Sequence, residues 1–304
     1  MEEINKDDYL IYASFNYSNY NSFKNIIETI GLFNNEFLIK FSNQNIILTN
    51  LQQTENNSCS FTYCIPSYNL TYYYCNGENL NIGINSLNLI KVLNSNIHSS
   101  IEQKNLILSV SKAKSNQLII TIKNSQQQPD CNILDISYII NCLDLNKIEK
   151  VNYQFNDYNF TYRIILNKIL FYNCINNINK YNINKCKFIN IELNPNKFII
   201  SSKQNNHNII HEFSGFNVNE LINEHTINVE VDMDFLKNNQ QFNFKSNYNI
   251  NYIKTLLERH ENINFIDIRL GNNLLRLGDN LPMGLSFDID NSFGKCLFLI
   301  YPNK

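Results

Sequence analysis

Two histidines, two aspartates and eight cysteines are the residues of this chain whose types and spacing invite a chemical reading. His207 and His211 are spaced like half of a metal site, but NIIHEF around them reads as a strand and no carboxylate motif accompanies them. Asp288-x-Asp290 resembles the metal-binding pair of some glycosyltransferases. It falls in DIDNSFGK, where a strand meets a turn and Asp and Asn are ordinary turn residues. Cys59, Cys64, Cys75, Cys131, Cys142, Cys174, Cys186 and Cys296 form no C-x-x-C pair, so zinc-ribbon spacing is absent. Several lie in apolar runs such as KCLFLIYP, which predicts buried free thiols. There is no phosphate loop, no G-x-S-x-G and no dinucleotide fingerprint. The reading is a protein that is not an enzyme and needs no metal or cofactor.

Composition sets the frame. About one residue in five is Asn, there is no Trp, and Ala, Arg, Gly and Pro are scarce, as an AT-rich genome would dictate. An Asn-rich disordered tract would lack dense apolar residues, whereas 43% of this chain is hydrophobic and spread along its length. The formal net charge of −2 argues against a protein coated in positive charge, yet leaves room for a basic surface confined to one face. MEEINKDDYL is not a targeting segment and no apolar run is long enough to span a bilayer, so no membrane association is expected. The expected setting is intracellular.

The elements that must position any functional residue follow from periodicity. YLIYASF reads as a strand, and SFKNIIETIGLF places Phe23, Ile26, Ile27 and Ile30 on one helical stripe. Strand-like EFLIKF, NIILTNL, SFTYCI and NLTYYYC follow, then a short helix from Asn85 to about Ser95, then NLILSV, QLIITIK and CNILDISYII. The order then repeats. TYRIILNKILFYNCINNI predicts a helix of about four turns, followed by KFINIEL, KFIISSK, NIIHEF, INVEVDM and QFNFK. NINYIKTLLERHE predicts a helix with Ile250, Ile253 and Leu257 on one stripe, and four strands close the chain. Each half thus holds two short helices among about eight strands, a repeat of architecture rather than of residues. Runs of adjacent strands exclude β-α-β-α alternation and predict antiparallel sheets, an α+β fold.

Within this pattern NLNIGINSLNLIKVL (79–93) closely resembles proliferating cell nuclear antigen, the DNA sliding clamp family. There the corresponding segment also runs Asn-Leu, a Gly flanked by apolar residues, Asn, then a helix with a Lys-apolar-Leu ending. FKNIIETI (23–30) resembles that family's first helix, and Pro282 and LIYP (299–302) resemble its C-terminal strands. The resemblance implies two similar clamp domains, 1–140 and 154–304, joined by a connecting linker, 141–153. It implies antiparallel sheets outside and two short helices per domain on the inner face.

The function so implied is a processivity factor that encircles double-stranded DNA without sequence specificity. As a homotrimer served by a clamp loader, it would recruit DNA polymerase and other replication and repair proteins through short apolar peptides. Lys24, Lys91, Lys168 and Lys254, with Arg163 and Arg259, are the residues expected to face DNA. Flexible ammonium groups attract phosphates without reading bases. Leu51, Leu143, Leu145, Ile148, Pro282, Ile300, Tyr301 and Pro302 are expected to form the pocket for partner peptides. CNILDISY (131–138) and NHNIIHEF (206–213) are the edge strands expected to meet between protomers. The AT-biased divergence suggests a large DNA virus, acting in the nucleus or at a cytoplasmic viral replication site. The competing readings are a monomeric or dimeric clamp-fold accessory factor and, from another class, a β-rich viral structural protein.

Overall fold

The computed structural model describes residues 6–51, 59–77, 79–95, 104–124, 135–145, 160–180, 187–204, 207–214, 227–231, 244–271, 282–290 and 292–302. The chain divides into two compact units. The first comprises Met1–Thr54, Phe61–Val151 and Ile289–Lys295; the second comprises Glu55–Ser60, Asn152–Asp288 and Cys296–Lys304.

In the first unit β1 (Tyr9–Phe15) runs into α1 (Tyr17–Phe33). Then come β2 (Glu36–Phe41), β3 (Asn45–Asn50), β4 (Cys59–Pro66), β5 (Tyr72–Cys75) and β6 (Leu80–Asn85). The helix α2 (Ser86–Asn94) precedes β7 (Lys104–Ser111), β8 (Gln117–Asn124) and β9 (Ile136–Asn141). The second unit repeats this order as β10 (Tyr162–Asn167), α3 (Lys168–Lys180), β11 (Phe188–Asn194), β12 (Lys197–Gln204) and β13 (His207–Ser214). Next are β14 (Asn228–Val231), β15 (Phe244–Asn249) and α4 (Ile250–Arg259). The chain ends with β16 (Phe265–Leu270), β17 (Met283–Ile289) and β18 (Gly294–Ile300).

Sheet order makes the duplication explicit. The first unit has strands in the orders β5-β1-β7-β8-β9 and β4-β3-β2-β6, and the second has β14-β10-β16-β17-β18 and β13-β12-β11-β15. Adding nine to each strand number of the first unit yields the second. Each half therefore holds nine strands among the described residues, where the apolar runs alone suggested about eight, and the strands pair antiparallel throughout these registers.

Burial explains the alternation. In β1 the side chains of Ile11, Ala13 and Phe15 are buried, and in β10 those of Tyr162, Ile164 and Leu166. In each unit a helix pair, α1 with α2 and α3 with α4, packs against the sheets. Phe23, Ile26, Ile27 and Ile30 are fully buried, as their spacing predicts, and each contributes roughly 1.5–3 kcal/mol.

All four described helices begin in one way. At or just past the end of a strand stands an Asn whose side-chain oxygen accepts a backbone N–H of the first helical turn. Asn16 accepts from Asn19 at 2.9 Å, Asn85 from Asn88 at 3.1 Å, Asn167 from Ile169 at 2.9 Å, and Asn249 from Asn251 at 3.0 Å. Each cap satisfies a donor that the helix itself leaves orphaned.

Two expectations need correction here. The helix predicted from Thr161 starts at Lys168, because Tyr162–Asn167 pairs with both β14 and β16 as a strand. The two-residue alternation of its buried side chains, and not the helical period, governs that segment. Arg163 accordingly lies on β10 rather than on a helix.

Candidate nucleic-acid interface

The polar faces of the four helices were expected to present cations, and their placement differs residue by residue. Lys91 is exposed on α2. Lys24 on α1 is half-buried, its Nζ 3.9 Å from Glu28 one turn on, and Lys254 on α4 stands 3.6 Å from Glu258 in the same spacing. Such pairs are worth about 0.3–0.5 kcal/mol, and they offset the lysine charge at short range. Arg259 is exposed at the end of α4.

Lys168 and Arg163 are placed otherwise than expected. Lys168 is 9% exposed, and its ammonium lies 5.5 Å from the centre of the Tyr172 ring, a cation–π distance. The reason is the strand-to-helix junction: Lys168 N donates to Asn264 O at 2.9 Å, which holds the first helical residue inward. The residues turned outward in that first turn are instead Ile169 and Leu170. Arg163 donates to Asp267 and to Glu230, at 2.9 Å in each case, and Asp267 also accepts from Arg269 at 3.2 Å. Its guanidinium is thus committed to carboxylates across three adjacent strands.

One cation escaped the reading of the sequence. Lys180 is exposed in the last turn of α3, where a positive charge suits the helix dipole. Its signal was present, a lysine ending a helical run, but the predicted helix stopped at Ile178, short of it. The four described helices carry six cations and two acids, a net +4. With the whole chain at −2, everything outside these helices sums to −6. Positive charge is therefore concentrated on the helices despite the acidic total.

The expected pocket residues also separate by burial. In the first unit Leu51 is buried, while Leu143 and Leu145 are half-buried against β6. Leu143 N donates to Gly83 O at 2.9 Å, a single antiparallel bridge on the edge of β6. In the second unit Pro282 and Ile300 are buried, and Tyr301 and Pro302 are partly exposed. Ile148 lies outside the described residues.

The expected edge strands are end strands of their sheets among the described residues, β9 in the first unit and β13 in the second. Of the described strands that end a sheet order, only these two carry large apolar side chains that remain exposed: Ile136 and Ile139 on β9, at 41% and 60%, and Ile210 on β13, at 58%. The described part of the first segment begins at Asp135, so Cys131–Leu134 lie outside it.

No metal-binding grouping emerges beside these surfaces among the described residues. No cluster of three or more His, Cys, Asp or Glu there could hold a metal ion. His211 lies on β13 opposite Ile200, its Nε2 buried without a hydrogen-bond partner, and burial pushes the imidazole pKa below its ordinary value. Asp288 is exposed near the end of β17, and Asp290 sits in the following turn with φ of 32°. The six described cysteines are thiols outside any disulfide; burial pushes the Cys59 thiol up to about 12 and the Cys174 thiol up to about 11. Thiols so placed stay protonated and unreactive at neutral pH. No described helix is long and apolar enough to cross a membrane.

No protein-family model matches the sequence, and no curated protein is significantly similar to it. Solved structures do match. Proliferating cell nuclear antigen from Thermococcus kodakaraensis aligns at a TM-score of 0.68 and 15% identity, covering 96% of this chain and all of that one. The protein of that name from Entamoeba histolytica aligns at 0.68 and 13%, covering 97% of this chain and all of that one. With the duplicated nine-strand plan, these matches show that the chain has the α+β clamp fold of the proliferating cell nuclear antigens, at a sequence identity low enough to mark it as a divergent example.

Proposed function

We propose that the chain is a DNA sliding clamp, a non-catalytic ring protein that encircles duplex DNA without reading its sequence. The ring is a homotrimer, opened by a clamp loader, and it brings polymerase and other replication and repair enzymes to DNA. The observation that carries this reading is a pair of strands, β9 and β13, which alone among the described end strands expose large apolar side chains. An unpaired apolar edge is a liability that proteins cover, and a second copy adding strand to strand is the simplest cover. The net +4 of the four helices supports a neighbouring polyanion, since cations on flexible stems hold phosphates without fixing register. Partner peptides are taken at the apolar linker residues Leu143 and Leu145.

Light scattering on the eluting protein, combined with retention on closed circular DNA, tests the ring. A trimeric mass, with protein that stays on circles in high salt and slides off after linearisation, is the expected result. A monomeric or dimeric mass, with salt-sensitive binding to linear DNA, would replace the ring by a clamp-fold accessory factor acting alone or in pairs.

A further inference from the structure

The strand β6 ends the order β4-β3-β2-β6, with β2 on one side of it. On its other side the chain offers a single residue of pairing among the described residues, the bridge from Leu143 to Gly83. Gly83 is the residue whose missing side chain makes that bridge fit. A Cβ built there would stand 2.9 Å from Leu145 Cδ2, 3.0 Å from Leu143 Cβ and 3.5 Å from Leu143 Cδ1. The methyl end of Leu145 can swing aside, but Leu143 Cβ is fixed to the backbone that makes the hydrogen bond. Gly83 has no positive φ, so its backbone is open to any residue and only the space above it is special. Its neighbours Ile82 and Ile84 are almost fully buried and hold β6 in place. One side of the contact is therefore rigid, and the first residues of the linker are seated on it.

We propose that Gly83 is a positioning residue for partner-peptide binding, acting through Leu143 and Leu145, which it seats on the edge of β6. This role rests on the reading of the linker as the peptide-binding segment. A pre-seated apolar wall spares a peptide the entropy of ordering the linker, and that saving appears as affinity. A side chain at position 83 keeps the strand and unseats the wall. Valine is well suited to a strand, so Gly83→Val loads the damage onto the linker rather than onto β6.

The test uses the full chain as wild type, Gly83→Ala and Gly83→Val. The probe is a fluorescent helical-turn peptide bearing apolar side chains, and amide exchange at Leu143 is followed in parallel. The expected result is a graded one: exchange at Leu143 accelerates from wild type to alanine to valine. Peptide affinity falls in the same order, by roughly tenfold at valine, while melting temperature and oligomeric mass stay near wild type. Wild-type binding with equal affinity in Gly83→Val, or unchanged exchange at Leu143, overturns the role of Gly83 alone. A wild-type protein that takes up no such peptide sinks the linker reading and this role with it. Should Gly83→Val fail to fold, Gly83→Ala decides by the same two readouts.

Discussion

Seven residues past its capping asparagine, α1 carries Phe23, and at the same step α3 carries Cys174. Eight past the cap the contrast turns over: α1 shows Lys24, half-buried and ion-paired, where α3 buries Ile175 completely. One past the cap, α1 exposes Tyr17 and α3 buries Lys168. Positions four, seven and eleven are buried in both helices, as Tyr20, Phe23 and Ile27 and as Phe171, Cys174 and Ile178. The duplicated units have thus kept a common stripe against the sheets and let its flanks diverge. A cation is retained on a helix only where the stripe leaves room for it, so the charge of this surface is read helix by helix and not by symmetry.

The largest expected break in that parallel is at the seventh position. Phe23→Ala should cost about 3–5 kcal/mol, as deletions of buried aromatic rings do, whereas Cys174→Ala should cost about 1 kcal/mol, near the ordinary mean for a substitution. Calorimetric melting of the two variants measures it, and equal losses would mean that the stripes are not equivalent. Next come the caps. Asn85→Ala in the first unit and Asn249→Ala in the second should each cost about 1 kcal/mol, read by chemical denaturation, with Asn→Ser restoring most of it.

The two end strands with exposed apolar side chains differ in titration. The strand β13 carries His211, whose pKa is lowered by burial, while β9 has no side chain that titrates between pH 5 and 7. Above the ordinary imidazole pKa both folded and unfolded His211 are neutral and contribute no slope. As pH falls through that value the unfolded form takes the proton first, so stability declines until the folded pKa is passed. His211→Leu should flatten this part of a stability-against-pH curve, and an unchanged curve would remove His211 as its source. The smallest effect sets Lys24 beside Lys91. Glu28→Gln frees the paired lysine at a cost of about 0.3–0.5 kcal/mol and should steepen the salt dependence of DNA binding. Lys91→Ala should make it shallower, by about one ion's worth for each phosphate left without its cation.

Much of this was legible in the sequence, and the failures have definite causes. The stripe Phe23, Ile26, Ile27 and Ile30 repeats at the helical period and is buried as it predicts. The segment NLNIGINSLNLIKVL divides where the structure divides it, at Asn85. TYRIILNKILFYN did not divide, because strand and helix follow each other without a Gly or Pro between them. The marker of that boundary is Asn167, and in a chain where about one residue in five is Asn a single one carries almost no information. The burial of Lys168 and the commitment of Arg163 both follow from that boundary. The seat at Gly83 was hidden for another reason: it joins residues 60 positions apart through space that only the fold brings together.

The capping asparagines have a bearing on how such a protein ages. Side-chain amides hydrolyse slowly to carboxylates, and a chain this rich in asparagine is a large target for that reaction. Aspartate caps a helix as well as asparagine does, and the helix dipole favours the added negative charge. Conversion of Asn16, Asn85, Asn167 and Asn249 to aspartate itself would keep the caps of the described helices while taking the sum over helices and caps from +4 to zero. Protein so converted would keep its caps and lose the net positive charge of its helices, a change visible in isoelectric focusing before any change in melting.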